Sequence, residues 1–144
     1  MPTFYRFFTL DDAFAFLLEA KGLPGIPSAA RRKKRCVRAC VLLSWVALEE
    51  CLDVAIEMRS RRQRTFGPFP VPLKQRLWAV LAALGKAPID DTQFTSLRAI
   101  RNKLTHPQSA RNEPALTIGQ AETTFGFCMA TIRTFFPFQI DLQF

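Results

Sequence analysis

Ala39-Cys40-Val41-Leu42-Leu43-Ser44-Trp45-Val46-Ala47-Leu48-Glu49-Glu50-Cys51-Leu52-Asp53-Val54-Ala55-Ile56 is apolar at a helical spacing rather than at the alternation of a strand. At 100° per residue, Val41, Trp45, Leu48, Leu52, Ala55 and Ile56 fall on one arc, which is the pattern of a helix that packs against others. Glu49, Glu50 and Asp53 interrupt the run, so it does not have the roughly 18 uncharged apolar residues that a membrane span needs. The two neighbouring glutamates differ. Glu50 falls on the solvent side, whereas Glu49 falls within the apolar arc and requires a cationic partner, because an unpaired buried charge costs several kcal/mol.

Charge rises steeply on both sides of this run. Arg31, Arg32, Lys33, Lys34, Arg35 and Arg38 precede it, and Arg59, Arg61, Arg62 and Arg64 follow it. These ten are half of the 20 basic residues in a chain of 144 with a formal net charge of +8. A single helix from about Ser28, its capping residue, to Arg61 would hold the clusters on the order of 40 Å apart. That arrangement suits an extended polyanion, and it also suits the solubilising ends of a long helix, the second cluster being favoured by the helix dipole.

Helical spacing continues through the remaining chain. Thr9 or Asp11 caps a first helix to about Ala20, and Gly22, Pro24, Gly25 and Pro27 make a loop. After a second break at Gly67, Pro68, Pro70 and Pro72, a third helix runs from Leu73 to about Leu84, with Pro72 in its first turn. Gly85 and Pro88 stop it. A fourth helix spans about Asp91 to Thr105 with Asp90 or Asp91 as cap, and Thr117 starts a fifth that reaches Phe136. Pro137 to Phe144 alternates apolar and polar residues as a short tail. The expectation is an all-α protein, an up-and-down helical bundle of four to five helices, with 49% hydrophobic residues to supply its core.

Cys36, Cys40, Cys51 and Cys128 lie in apolar helical stretches, which favours reduced core thiols. The Cys36/Cys40 pair lacks a second ligand pair, so no metal site is expected. Asp11, Asp12 and Glu19 within Met1 to Ala20 argue against a secretory signal or transit peptide, and the expected location is cytoplasmic.

The fourth helix contains the base that answers Glu49. Phe94, Leu97, Ile100 and Leu104 define its buried arc, Arg101 falls between Leu97 and Phe94, and Lys103 points away. Glu49 and Arg101 are thus expected to pair across the bundle. Five residues further on stands His106, the only histidine. On an ideal helix it would lie about 140° around from Arg101, but Pro107 disfavours helical backbone at the residue before it. His106 is therefore expected to leave the helix and to reach the Arg101 side. A histidine at a helix end also serves as a dipole-complementing cap.

The run Arg101-Asn102-x-Leu104-x-His106-Pro107 resembles the Arg-x4-6-His signature of the HEPN (higher eukaryotes and prokaryotes nucleotide-binding) superfamily, including the polar residue directly after the arginine. The context is similar too: an apolar helical segment, Thr95 to Ile100, precedes the motif, and a last amphipathic helix opened by Ile118, Ala121 and Glu122 follows it. Glu49 stands where many members carry an acid in the long helix before the motif. The heavily basic long helix and the Pro-rich loop at Gly67 to Pro72 depart from the family pattern. By length the chain fits one domain over residues 1–144; the resemblance spans its core, about 28–136, leaving an N-terminal helix and loop over 1–27 and a tail over 137–144.

It further implies an endoribonuclease that needs no metal or other cofactor and acts as a homodimer with a composite active site. His106 would act as general base on a ribose 2′-OH or as general acid to the leaving 5′-oxygen. Arg101 would hold the phosphate, with Asn102 adding a hydrogen bond and Glu49 completing the site. The products would be a 2′,3′-cyclic phosphate and a 5′-OH, and both basic clusters would bind the RNA backbone. A toxin or defence role, checked by an antitoxin such as a minimal nucleotidyltransferase, accompanies the resemblance. Two other classes fit the same residues: a HEPN-like module that binds RNA, a nucleotide or a protein without cleaving, and a helical oligomerisation protein.

Overall fold

Pro27 decides where the longest helix begins. Its fixed φ suits a first helical position, where the missing N–H has no partner to lose. In the computed structural model, which describes residues 8–60, 72–105 and 115–135, α2 runs from Pro27 to Ser60. Around it stand α1 (Phe8–Gly22), α3 (Leu73–Ala83), α4 (Asp91–Thr105) and α5 (Ile118–Phe135). The protein is an all-α helical bundle, with no strand among the described residues. No described helix is long and apolar enough to cross a membrane.

Helix ends follow local chemistry, with three shifts from the sequence expectation. The first helix already includes Phe8, so Thr9 and Asp11 lie inside α1. Thr9 instead donates its hydroxyl to Glu50 Oε2 at 2.9 Å. Ser28 falls in the first turn of α2, because the proline one residue earlier already starts the helix. Pro72 is the N-cap of α3 rather than a first-turn residue.

The other ends match their residues. Asp90 caps α4, its Oδ1 accepting from the backbone N–H of Thr92 at 2.9 Å and of Gln93 at 3.3 Å. Thr117 and Gln120 form a reciprocal capping box at the start of α5, with Gln120 N–H donating to Thr117 Oγ1 at 3.1 Å and Thr117 N–H to Gln120 Oε1 at 2.9 Å. Gly85, with φ +67°, closes α3. Its N–H donates to Ala82 O at 3.0 Å and that of Lys86 to Leu81 O at 2.9 Å, a pairing that needs left-handed backbone at the glycine.

α2 touches all four other helices. Val41, Trp45, Leu48, Leu52 and Ala55 of the expected arc are buried, and Ile56 is partly buried. The buried surface is much wider than that arc, since Cys36, Val37, Cys40, Ser44, Ala47 and Cys51 are buried as well. A helix with partners on several sides has little polar stripe left, and only Val46, Glu50, Asp53 and Glu57 are exposed between Ala39 and Glu57.

The centre is aromatic. Trp45 meets Phe94 edge to face at 5.6 Å, Trp78 meets the same ring at 5.3 Å, and Phe127 lies 6.1 Å from Trp45. Directions follow from paired contacts. Thr9 reaches Glu50 while Arg32 reaches Glu19, so α1 is antiparallel to α2. Cys40 approaches Ala121 and Trp45 approaches Phe127, so α5 runs beside α2 in the same direction. α4 lies across α2, with Phe94 on Trp45 and Arg101 on Glu49.

Candidate functional site at the α2–α4 crossing

Arg101 and Glu49 come from different helices, 52 residues apart in sequence, and meet where α4 crosses α2. Arg101 Nη2 donates to Glu49 Oε1 at 3.2 Å. The side chains are 26% and 33% exposed. The expected partnership forms, but at the rim of the core rather than inside it. The reason is reach: Cα of Arg101 sits beside the buried Leu97 and Leu104, and its long stem carries the guanidinium outward to water. A pair this exposed contributes about 0–1 kcal/mol to stability, so its geometry matters more than its strength.

Asn102 joins the same group. Arg101 Nη1 donates to Asn102 Oδ1 at 3.3 Å, and Asn102 is otherwise exposed. The planar guanidinium is thus oriented by a carboxylate on one nitrogen and an amide oxygen on the other. Behind them α4 ends at Thr105, whose hydroxyl bonds the carbonyls of Arg101 at 3.3 Å and Asn102 at 3.2 Å. The described part of the helix stops one residue short of His106. His106 itself, and with it Pro107, lies outside the described residues.

The first basic cluster does not form one patch. Arg32 pairs with Glu19, its Nε lying 2.6 Å from Oε1, and so fastens α2 to α1. Arg38 Nη2 donates to the carbonyl oxygen of Leu104 at 3.2 Å, holding the last turn of α4. Lys33 and Lys34 line a cleft of about 450 Å³ with Ile26, Val37, Leu116 and Ile118, between the start of α2 and the start of α5. Arg31 and Arg35 are exposed. In the second cluster, the backbone of Arg59 is the last part described, and Arg61, Arg62 and Arg64 lie outside the described residues. Sequence adjacency hid the division of the first cluster, and rotation at 100° per residue is the signal that separates Arg32 from Arg31 and Arg35.

Arg38 ties α2 to α4, a role that its place among basic neighbours in the sequence does not reveal. The Arg76–Asp53 pair at 2.6 Å, which fastens α3 to α2, is equally hidden in the sequence. Neither has a local signal, since each depends on a contact between helices.

The four cysteines are buried and free. Burial pushes the Cys40 thiol up to about 11 and that of Cys51 up to about 12, and it raises Cys128 and Cys36 as well. At neutral pH such thiols are protonated and poor nucleophiles. Among the described residues there is no group of three or more His, Cys, Asp or Glu side chains placed to hold a metal ion.

The arrangement at the α2–α4 crossing can therefore present to an oxyanion a guanidinium that Glu49 and Asn102 orient and that keeps part of its side chain exposed. No protein-family model, curated protein or solved structure matches the chain.

Proposed function

We propose that this protein is an endoribonuclease of the HEPN type, cleaving RNA by attack of a ribose 2′-OH on the adjacent phosphate. The observation that carries the reading is the position of Arg101: half-buried, oriented by Glu49 and Asn102, and on the last turn before the only histidine. A guanidinium held in this way neutralises charge that grows on the non-bridging phosphate oxygens. His106 takes the 2′-OH proton or supplies one to the leaving 5′-oxygen, so that the P–O5′ bond breaks as the P–O2′ bond forms. The products are a 2′,3′-cyclic phosphate and a 5′-OH, and DNA is refused because it has no 2′-OH.

One histidine cannot be acid and base in the same turnover. A homodimer with two motifs lining one cleft supplies both, and the chemistry requires no metal or cofactor. A toxin or defence role under the control of an antitoxin, such as a minimal nucleotidyltransferase, and a cytoplasmic site of action belong to the same proposal. The engaged state of Arg101 favours one second reading: a guanidinium already held by Glu49 and Asn102 also suits a HEPN-like module that binds RNA, a nucleotide or a protein without cleaving it.

Expression in a host cell distinguishes the two. The nuclease reading expects growth arrest that His106→Ala and Arg101→Ala both abolish while the helical circular-dichroism signal is retained. It also expects purified protein to cleave a mixed RNA pool at neutral pH in EDTA. RNA left intact by wild-type protein, with His106→Ala protein behaving the same, rejects it.

A further inference from the structure

The first basic cluster is divided among three faces of α2, and only one of them leads to Arg101. On the helical wheel Arg31, Arg35 and Arg38 fall within about 60° of one another, and Glu49 lies in the same sector. Arg32 is turned to α1, where Glu19 holds it, and Lys33 and Lys34 are turned to the cleft beside α5. This sector of α2 thus contains two exposed arginines at its outer end, then Arg38, tied to the end of α4, and at the crossing Glu49, which holds Arg101 of α4.

Described residues on both sides of 106–114 lie beside this same end of α2. Leu104, two residues before His106, offers its carbonyl to Arg38. Leu116, ten residues after His106 in sequence, lines the cleft with Lys33, Lys34 and Val37. Both contacts fall on the N-terminal turns of α2, within residues 33–38, and neither is near Arg59.

Resting on the ribonuclease reading, we propose that single-stranded RNA reaches the site along this sector, with Arg31 and Arg35 holding successive backbone phosphates. Arg38, though part of the same run in sequence, is a positioning residue that sets the last turn of α4. Arg31 and Arg35 are four residues apart, one helical turn, so their side chains project side by side about 6 Å apart along the axis. Both are arginines, whose forked donors match phosphate oxygens. Arg38 already spends a guanidinium nitrogen on a backbone carbonyl, and its loss shifts the helix end rather than freeing a phosphate.

The test measures binding and cleavage of an unstructured RNA oligonucleotide between 50 and 300 mM salt. Against it stand Arg31→Ala/Arg35→Ala, Arg38→Ala, Arg38→Lys, and the charge control Lys86→Ala/Arg133→Ala on exposed residues of other elements. Loss of two phosphate contacts lowers the slope of log K against log salt by about 1.4 and raises KM about ten-fold, with kcat kept. The charge control leaves both within about two-fold. Arg38→Ala keeps the salt slope and KM but lowers kcat about ten-fold, Arg38→Lys restores part of it, and the thermal midpoints of both match wild type within a few degrees. An unchanged salt slope in Arg31→Ala/Arg35→Ala, or an equal loss of slope in Arg38→Ala or in the charge control, overturns the track. Wild-type protein that neither binds nor cleaves the RNA overturns the ribonuclease reading together with it.

Discussion

α2 has two sides with opposite chemistry. On the side toward α5, Cys40, Cys51 and Cys128 are sealed in the core, and burial raises their thiols so far that they stay protonated. On the side toward α4, Glu49 and Arg101 stand a quarter to a third exposed and hold each other in a defined orientation. Both sides contain groups able to do chemistry. Only the second keeps them near water, where charge is tolerated and a ligand can enter, so a half-buried position suits a site better than deep burial.

On the site side, if the protein cleaves RNA as proposed, His106→Ala has the largest expected effect, reducing cleavage about 10³- to 10⁴-fold, equal to roughly 4–5.5 kcal/mol of transition-state stabilisation. Single-turnover cleavage measures it, and unchanged urea unfolding shows that the fold is not the cause. On the core side, Trp45→Ala removes the ring that meets Phe94 and Phe127 and is expected to cost about 3–4 kcal/mol of stability, read from the urea midpoint. A loss below about 1 kcal/mol would mean that Trp45 does not organise the core.

Two substitutions have smaller expected effects. Thr117→Ala removes one half of the α5 capping box and is expected to destabilise by about 1 kcal/mol. Glu49→Gln is expected to change stability by less than about 1 kcal/mol, because the pair is largely solvated, yet to lower cleavage by releasing the orientation of Arg101. Equal losses of stability and activity would make the pair structural instead.

The thiols have no effect at neutral pH. Folding holds their protons more tightly than the unfolded chain does, so stability is complete below the ordinary thiol range near 9.0. It then falls as pH rises toward about 11 for Cys40 and about 12 for Cys51. Urea unfolding between pH 7 and 11 is expected to show this decline above pH 9, and Cys40→Ala/Cys51→Ala to flatten it.

Much of this was legible locally. Helical spacing, Pro27, Asp90, Thr117 and Gly85 mark the elements because caps and breakers act within a few residues of themselves. The Glu49–Arg101 pair was legible too, since each is a charge on an otherwise apolar arc and such charges need partners. Its exposure was not, because a wheel gives the direction of Cβ and not the reach of a guanidinium. The start of the first helix was less legible, since α1 already includes Phe8 and the hydroxyl of Thr9 bonds Glu50 across to α2.

By itself, then, the sequence determined that the chain is helical, where most helices stop, and which two charges stand out on their apolar arcs. Helix packing set the rest: that α2 is covered on several sides, that the pair stands at the rim, and that Arg32, Arg38 and the Lys33/Lys34 pair turn to different neighbours while Arg31 and Arg35 stay exposed. The physical reason is range: backbone hydrogen bonds and steric limits act over a few residues of one chain segment. The fate of a long side chain depends instead on which helix crosses its path, as Arg38 and the carbonyl of Leu104, 66 residues away, demonstrate.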